Sequence, residues 1–133
     1  MTLRIMDAGG QAYFDFLKPM LMQDRALVLL CVRVGDEEQW EEQLHKYLDL
    51  LSTLMKGGVV IPVITQADCL RDEAAERRLM DKWHRNADPV LQLFSDELEI
   101  EREPTLVSSR TGQGIQEVVQ KLKEGVVKVL SPC

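Results

Sequence analysis

The segment Val59 to Asp68, "VVIPVITQAD", decides the fold. Its first six residues are apolar and mostly β-branched, as in a strand of a sheet buried on both faces. Pro62 is the one dissonant residue, since proline brings no N–H to the ladder. The run then turns polar at Thr65-Gln66-Ala67-Asp68. In open α/β sheets, ligands bind at the carboxyl ends of the strands, so that polar loop is the first place to look for a site.

The flanking sequence repeats the unit. Upstream, Gly57-Gly58 stops a helix read over Glu37 to Lys56, in which Trp40, Leu44, Tyr47, Leu48, Leu51, Leu54 and Met55 share a face and Asp36 offers the N-cap. Before it, Ala26 to Val34, "ALVLLCVRV", is another apolar run, and Leu3-Arg4-Ile5-Met6 is a short one. Downstream, Leu70 to Asn86 reads as a charged helix broken by Asp88-Pro89, and Val90 to Leu98 as a short helix. Glu101 to Pro104 reads as a solvated acidic connection and Thr105-Leu106-Val107 as a strand. Gln113 to Leu130 closes the chain as a helix with Ile115, Val118, Val119, Leu122, Val126 and Val129 on one face, slightly weakened by Gly125. This alternation predicts an α/β fold, a three-layer sandwich with a mainly parallel sheet, in a single domain over residues 1–133.

Bulk properties narrow the function. The 133 residues carry a net charge of −6, which argues against a general nucleic-acid binder. A single nucleotide stays open, because its phosphates meet local backbone N–H groups rather than the net field. Cys31, Cys69 and Cys133 form no CxxC pair, and neither His45 nor His84 has a second ligand nearby, so neither structural zinc nor a disulfide framework is expected. No apolar run reaches the roughly 20 residues of a membrane span. Met1-Thr2-Leu3-Arg4 lacks the apolar core of a signal peptide, and a cytoplasmic protein is expected.

Three strand-end loops carry the candidate chemistry: Asp7-Ala8-Gly9-Gly10-Gln11, Thr65-Gln66-Ala67-Asp68, and Ser108-Ser109-Arg110-Thr111-Gly112-Gln113-Gly114. Each alone has a plain structural explanation. Aspartate and glycines make turns, Asp68 would serve as the N-cap of the following helix, and the third loop would be a simple strand-to-helix turn. Their order along one α/β chain is what favours a ligand. A flavodoxin-like or receiver-type domain fits poorly, since Asp7 stands alone and the loop after the last strand carries Arg110 followed by glycines rather than a lysine.

Together these motifs resemble the C-terminal two thirds of a Ras-like GTPase domain of the P-loop NTPase fold. Asp7 to Gln11 is similar to the D-x-x-G-Q switch motif, and Thr65 to Asp68 to the guanine-specificity motif [N/T]-K-x-D with Gln66 at the lysine position. Ser108-Ser109-Arg110 stands where the family has S-A-K. Within the family the chain looks most like a Roc domain, which tolerates a non-lysine residue at that position; the step from Asp68 to Ser108 is also longer than a minimal small GTPase needs.

The resemblance implies a guanine-nucleotide switch segment, with GTP or GDP and Mg²⁺ as ligands. Asp68 would accept two N–H bonds from guanine, and Ser109 would offer its backbone N–H to the guanine carbonyl. Ser108 and Arg110 belong to the same loop. Gln66 would lie along the base, and Thr65 would tie its loop to its neighbours. Asp7 would hold Mg²⁺ through water, Gly10 would approach a γ-phosphate, and Gln11 would orient the attacking water. Ala12 to Gln23 would be the mobile switch. The G-x-x-x-x-G-K-[S/T] phosphate loop is absent from the sequence. The chain opens on what would be the family's third strand, so an N-terminally truncated piece of a larger multidomain protein is expected, weak or inactive by itself. The missing strand would leave a gap or force its two neighbours to pair. GTP hydrolysis is implied by resemblance only. A nucleotide-free scaffold that docks protein partners or forms a homodimer is the alternative.

Overall fold

The structure, a computed structural model, describes residues 2–7, 26–54 and 57–130. Strand β1 (Thr2–Asp7) pairs in parallel with β2 (Ala26–Arg33), from Thr2 opposite Ala26 to Asp7 opposite Cys31. Of the two outcomes expected for these strands, a gap or direct pairing, the structure shows the pairing. β2 continues in parallel with β3 (Val59–Thr65), from Leu27 opposite Val59 to Arg33 opposite Thr65. The far side of β3 is shared by two short parallel strands, β4 (Glu99–Ile100) and β5 (Thr105–Leu106).

That division resolves the conflict at Pro62. The carbonyls of Gly58, Val60 and Ile64 accept from Glu99, Glu101 and Val107 on the β4–β5 side. Backbone groups of a strand alternate sides, so the amide position of Pro62 faces that side too, between the two short strands. A missing donor costs nothing at a gap in the ladder.

Alternate residues feed two cores. Val28, Leu30, Val32, Val60 and Ile64 face α1 (Trp40–Leu54), α2 (Glu73–Asn86) and α3 (Asp88–Leu93). Leu27, Leu29, Val59, Ile61, Val63 and Val107 face α4 (Ile115–Leu130). The parallel sheet is therefore flanked by helices on both sides, the three-layer α/β arrangement expected. Trp40 and Trp83 are fully buried in the first core, edge to face at 5.7 Å between ring centroids. Each indole N–H is satisfied, on the Arg33 carbonyl at 3.1 Å and the Arg102 carbonyl at 3.3 Å.

Several boundaries differ from expectation. Glu37–Gln39 forms a 3₁₀ turn ahead of α1, and the Asp36 carboxylate caps no amide; it accepts from Arg33 Nε at 3.2 Å. The second helix starts at Glu73 rather than Leu70, where Asp72 caps it by accepting from Ala75 N at 2.8 Å. Pro89 sits in the first turn of α3, where the absent N–H has no partner to lose. β4 precedes the acidic connection and has no counterpart among the expected strands. On α4, Val118, Leu122 and Val126 pack inward, whereas Ile115 and Val119 are 42% and 43% exposed. Gly125 explains this: it is buried, and a Cβ there would come within 2.7 Å of Leu27 Cδ1, so the helix approaches closely along the Val118, Leu122 and Gly125 line. Met55 and the side chains of Leu54 and Val129 lie outside the described residues.

Candidate functional site

The loops after β3 and β5 are fastened to each other. Thr65 ends β3; its Oγ1 donates to the Val32 carbonyl at 3.3 Å, and its own carbonyl accepts from Val34 N at 3.1 Å. Gln66 then turns left-handed, at φ 63 and ψ 38. It is the one non-glycine residue with positive φ among those described. A side chain held there costs on the order of 1 kcal/mol, and such strain persists only where the surroundings impose it. Here Ala67, buried, donates its N–H to the Val107 carbonyl at 3.0 Å, which binds the loop to the end of β5.

Asp68 follows in a short 3₁₀ turn, Ala67–Cys69. Its Oδ1 accepts from Ser108 Oγ at 2.9 Å. Ser108 is fully buried and saturated: its Oγ accepts from Thr111 N at 3.2 Å, its N–H donates to the Gln113 carbonyl at 3.1 Å, and its carbonyl accepts from Gly112 N at 2.9 Å. The hydroxyl that positions Asp68 is thus itself immobile. Gly112 and Gly114 take φ 84 and φ 76, and any Cβ on Gly114 would collide with the Leu106 carbonyl oxygen. Only glycine brings the loop that close to β5.

The arrangement leaves one oxygen of the Asp68 carboxylate without a partner among the described residues, on an exposed residue, beside exposed Ser109 and Arg110. A fixed carboxylate with an open side is an acceptor for a planar donor edge, such as a ring N–H beside an exocyclic amine. The capping explanation of Asp68 does not hold, because Asp72 caps α2. The grip of Ser108 on Asp68 spans 40 residues; its only sequence signal was that both follow strands.

The structure thus brings together Thr65, Gln66, Asp68, Ser108, Ser109 and Arg110. Asp7 closes β1 two strands away. Gly10 and Gln11, with the segment Ala12 to Gln23, lie outside the described residues. No group of three or more His, Cys, Asp or Glu able to hold a metal ion occurs among the described residues. His84 lies elsewhere, at the end of α2. Its Nδ1 is 2.9 Å from Asp88 Oδ2, and that hydrogen bond raises its pKa above the usual histidine value; desolvation opposes it, and the nearby charges of Asp88, Glu103 and Asp81 add to the rise.

No protein-family model matches the chain. Among curated proteins it is similar to "GTP-binding protein RHO1" of Eremothecium gossypii, 25% identical over 123 residues, 90% of this chain and 58% of that protein. It is 27% identical over 79 residues to "Rho-related GTP-binding protein RhoF" of Homo sapiens, 59% of this chain and 37% of that protein. It is 31% identical over 62 residues to "Ras-like GTP-binding protein RHO1" of Entamoeba histolytica, 41% of this chain and 29% of that protein. The chain spans 58% or less of the length of each of these relatives. The chain is thus similar, at a distance, to Rho-type small GTPases, and its parallel sheet flanked by helices agrees with a Ras-like fold.

Proposed function

We propose that the chain is the base-reading part of a guanine-nucleotide switch. One observation carries the reading: the buried Ser108 hydroxyl holds one oxygen of Asp68 and leaves the other open beside the exposed Ser109. Asp68 accepts the ring N–H and exocyclic amine of guanine, and adenine is rejected because it presents an acceptor where guanine presents a donor. The Ser109 N–H meets the guanine carbonyl. Gln66 and Arg110 flank the base, and Thr65 sets the start of the loop. These residues suit the base.

On the phosphate side, Asp7 is the residue that would hold Mg²⁺, which when bound would neutralise charge on the phosphates. Gly10 would lie against the terminal phosphate and Gln11 beside the water. The sequence contains no glycine-rich lysine loop to cradle phosphates, so no hydrolytic step is assigned to this chain. We place it in a cytoplasmic signalling protein of several domains. Gln66 at the lysine position and the 40-residue step from Asp68 to Ser108 support a Roc-type parent, while the relatives found are Rho-type.

Titration of a fluorescent guanine nucleotide against the chain tests this reading. Binding should be competed by unlabelled guanine but not adenine nucleotide, and Asp68→Ala should weaken it at least tenfold, the effect of losing a charge-assisted pair of hydrogen bonds. Equal competition by adenine nucleotide would refute the role given to Asp68.

A further inference from the structure

The order of strands puts a cation between the two ends of the proposed site. β2 lies between β1, which Asp7 closes, and β3, which leads into Asp68. The residue that closes β2 is Arg33, opposite Thr65. Its backbone is fixed: the Arg33 carbonyl accepts from Trp40 Nε1 at 3.1 Å and from Asp36 N at 3.2 Å. Its side chain is 47% exposed and bonded through Nε to Asp36 Oδ2. That contact orients the guanidinium and leaves its two terminal nitrogens without a partner among the described residues.

Neighbouring strands lie about 4.8 Å apart, so one strand's width separates the end of β3 from Arg33, and one more separates Arg33 from the end of β1. A nucleotide with its base on Asp68 and its phosphates directed toward Asp7 has to cross the end of β2. On a chain of net charge −6, that crossing needs a local positive charge. Arg110, the cation in the loop after β5, lies on the opposite side of β3 from this path. Arginine suits the task, since its planar fork of N–H donors matches two phosphate oxygens at once.

We infer that Arg33 is a phosphate-binding residue of this chain, taking the diphosphate of a guanine nucleotide whose base sits on Asp68. The inference rests on the base-reading role proposed above. Asp36 is a positioning residue: it steadies the guanidinium through Nε and leaves the terminal nitrogens for the ligand.

The test compares guanosine diphosphate with guanosine, which lacks phosphate, by ligand-detected NMR titration of the full chain. Wild type should prefer the diphosphate, and that preference should fall with added salt. Arg33→Gln should weaken diphosphate binding about tenfold, leave guanosine binding unchanged and flatten the salt dependence; Arg33→Lys should keep part of the preference. Asp68→Ala should weaken both ligands. If Arg33→Gln binds the diphosphate as wild type does while Asp68→Ala loses both ligands, Arg33 is excluded and the base-reading role stands. Equal loss of both ligands in Arg33→Gln would show a merely structural residue and overturn the inference. Failure of wild type to bind either ligand would overturn both readings together.

Discussion

Among the described residues, one face of the sheet is covered by three helices and the other by one, and the two are held by different means. Behind α1, α2 and α3 the core is built on volume: two interlocked, fully buried tryptophans with their N–H groups satisfied, among leucines and valines. Behind α4 it is built on proximity, with a buried glycine where the helix touches Leu27 and half-buried Val118, Leu122 and Val126 on either side. The first face loses most when something is removed, and the second when something is added. The site follows this division. Asp68 lies on the loop that leads from β3 into α2, while Ser108, which holds it, lies on the loop that leads from β5 into α4.

The contrast is broken most forcefully at Trp83. Trp83→Ala should cost about 3–5 kcal/mol, since it leaves a large cavity beside Trp40 and orphans the Arg102 carbonyl. Urea denaturation measures it, and a loss under about 1 kcal/mol would mean the helix-rich face is not volume-limited. On the other face, Gly125→Val should cost about 1–3 kcal/mol by overpacking against Leu27 and Ile61. Unchanged stability there would show that α4 stands further from the sheet.

The smallest effect expected is at His84, on the rim of the helix-rich face. Its pKa is raised in the folded state, chiefly by the hydrogen bond to Asp88. Its contribution to stability is therefore complete below about pH 6.5, the unfolded value, and fades as pH rises through the folded value. With the side chain 43% exposed, solvent screening keeps this to roughly 0.5 kcal/mol or less. His84→Ala should lower the melting temperature slightly at about pH 6, and that loss should shrink as pH rises through the folded value and the imidazole gives up its charge. The same small loss at every pH would remove the charge from the explanation.

Where the sequence wrote a pattern locally, it could be read. The run Ala26 to Val34 contains β2, and the spacing of Trp40, Leu44, Leu48 and Leu51 is the buried stripe of α1. β4 had no such signal: Glu99 is exposed and Ile100 half-buried, and the pair becomes a strand only because the carbonyls of Gly58 and Val60 lie beside it. Ile115 and Val119 misled for the opposite reason. They follow the helical period, but how close Gly125 lets the helix come decides which residues reach the sheet. In the site, Asp68 and Ser108 were each visible as residues after a strand. Their hydrogen bond was not, since it depends on β3 and β5 being neighbours. Arg33 carries no such signal either, since a lone arginine at the end of an apolar run looks like ordinary solvation until the strand order is known.

The shortness of β4 has a bearing on how the chain behaves when crowded. It offers only two residues at that margin of the sheet, and Glu99 there is paired with Lys128 at 3.3 Å. So brief and charged a border gives an incoming strand too few backbone groups to grip. The six-residue β1 forms the opposite margin and has β2 as its only strand partner among the described residues. Among the described residues the two borders therefore differ in reach: β4 and β5 offer two residues each, against six on β1.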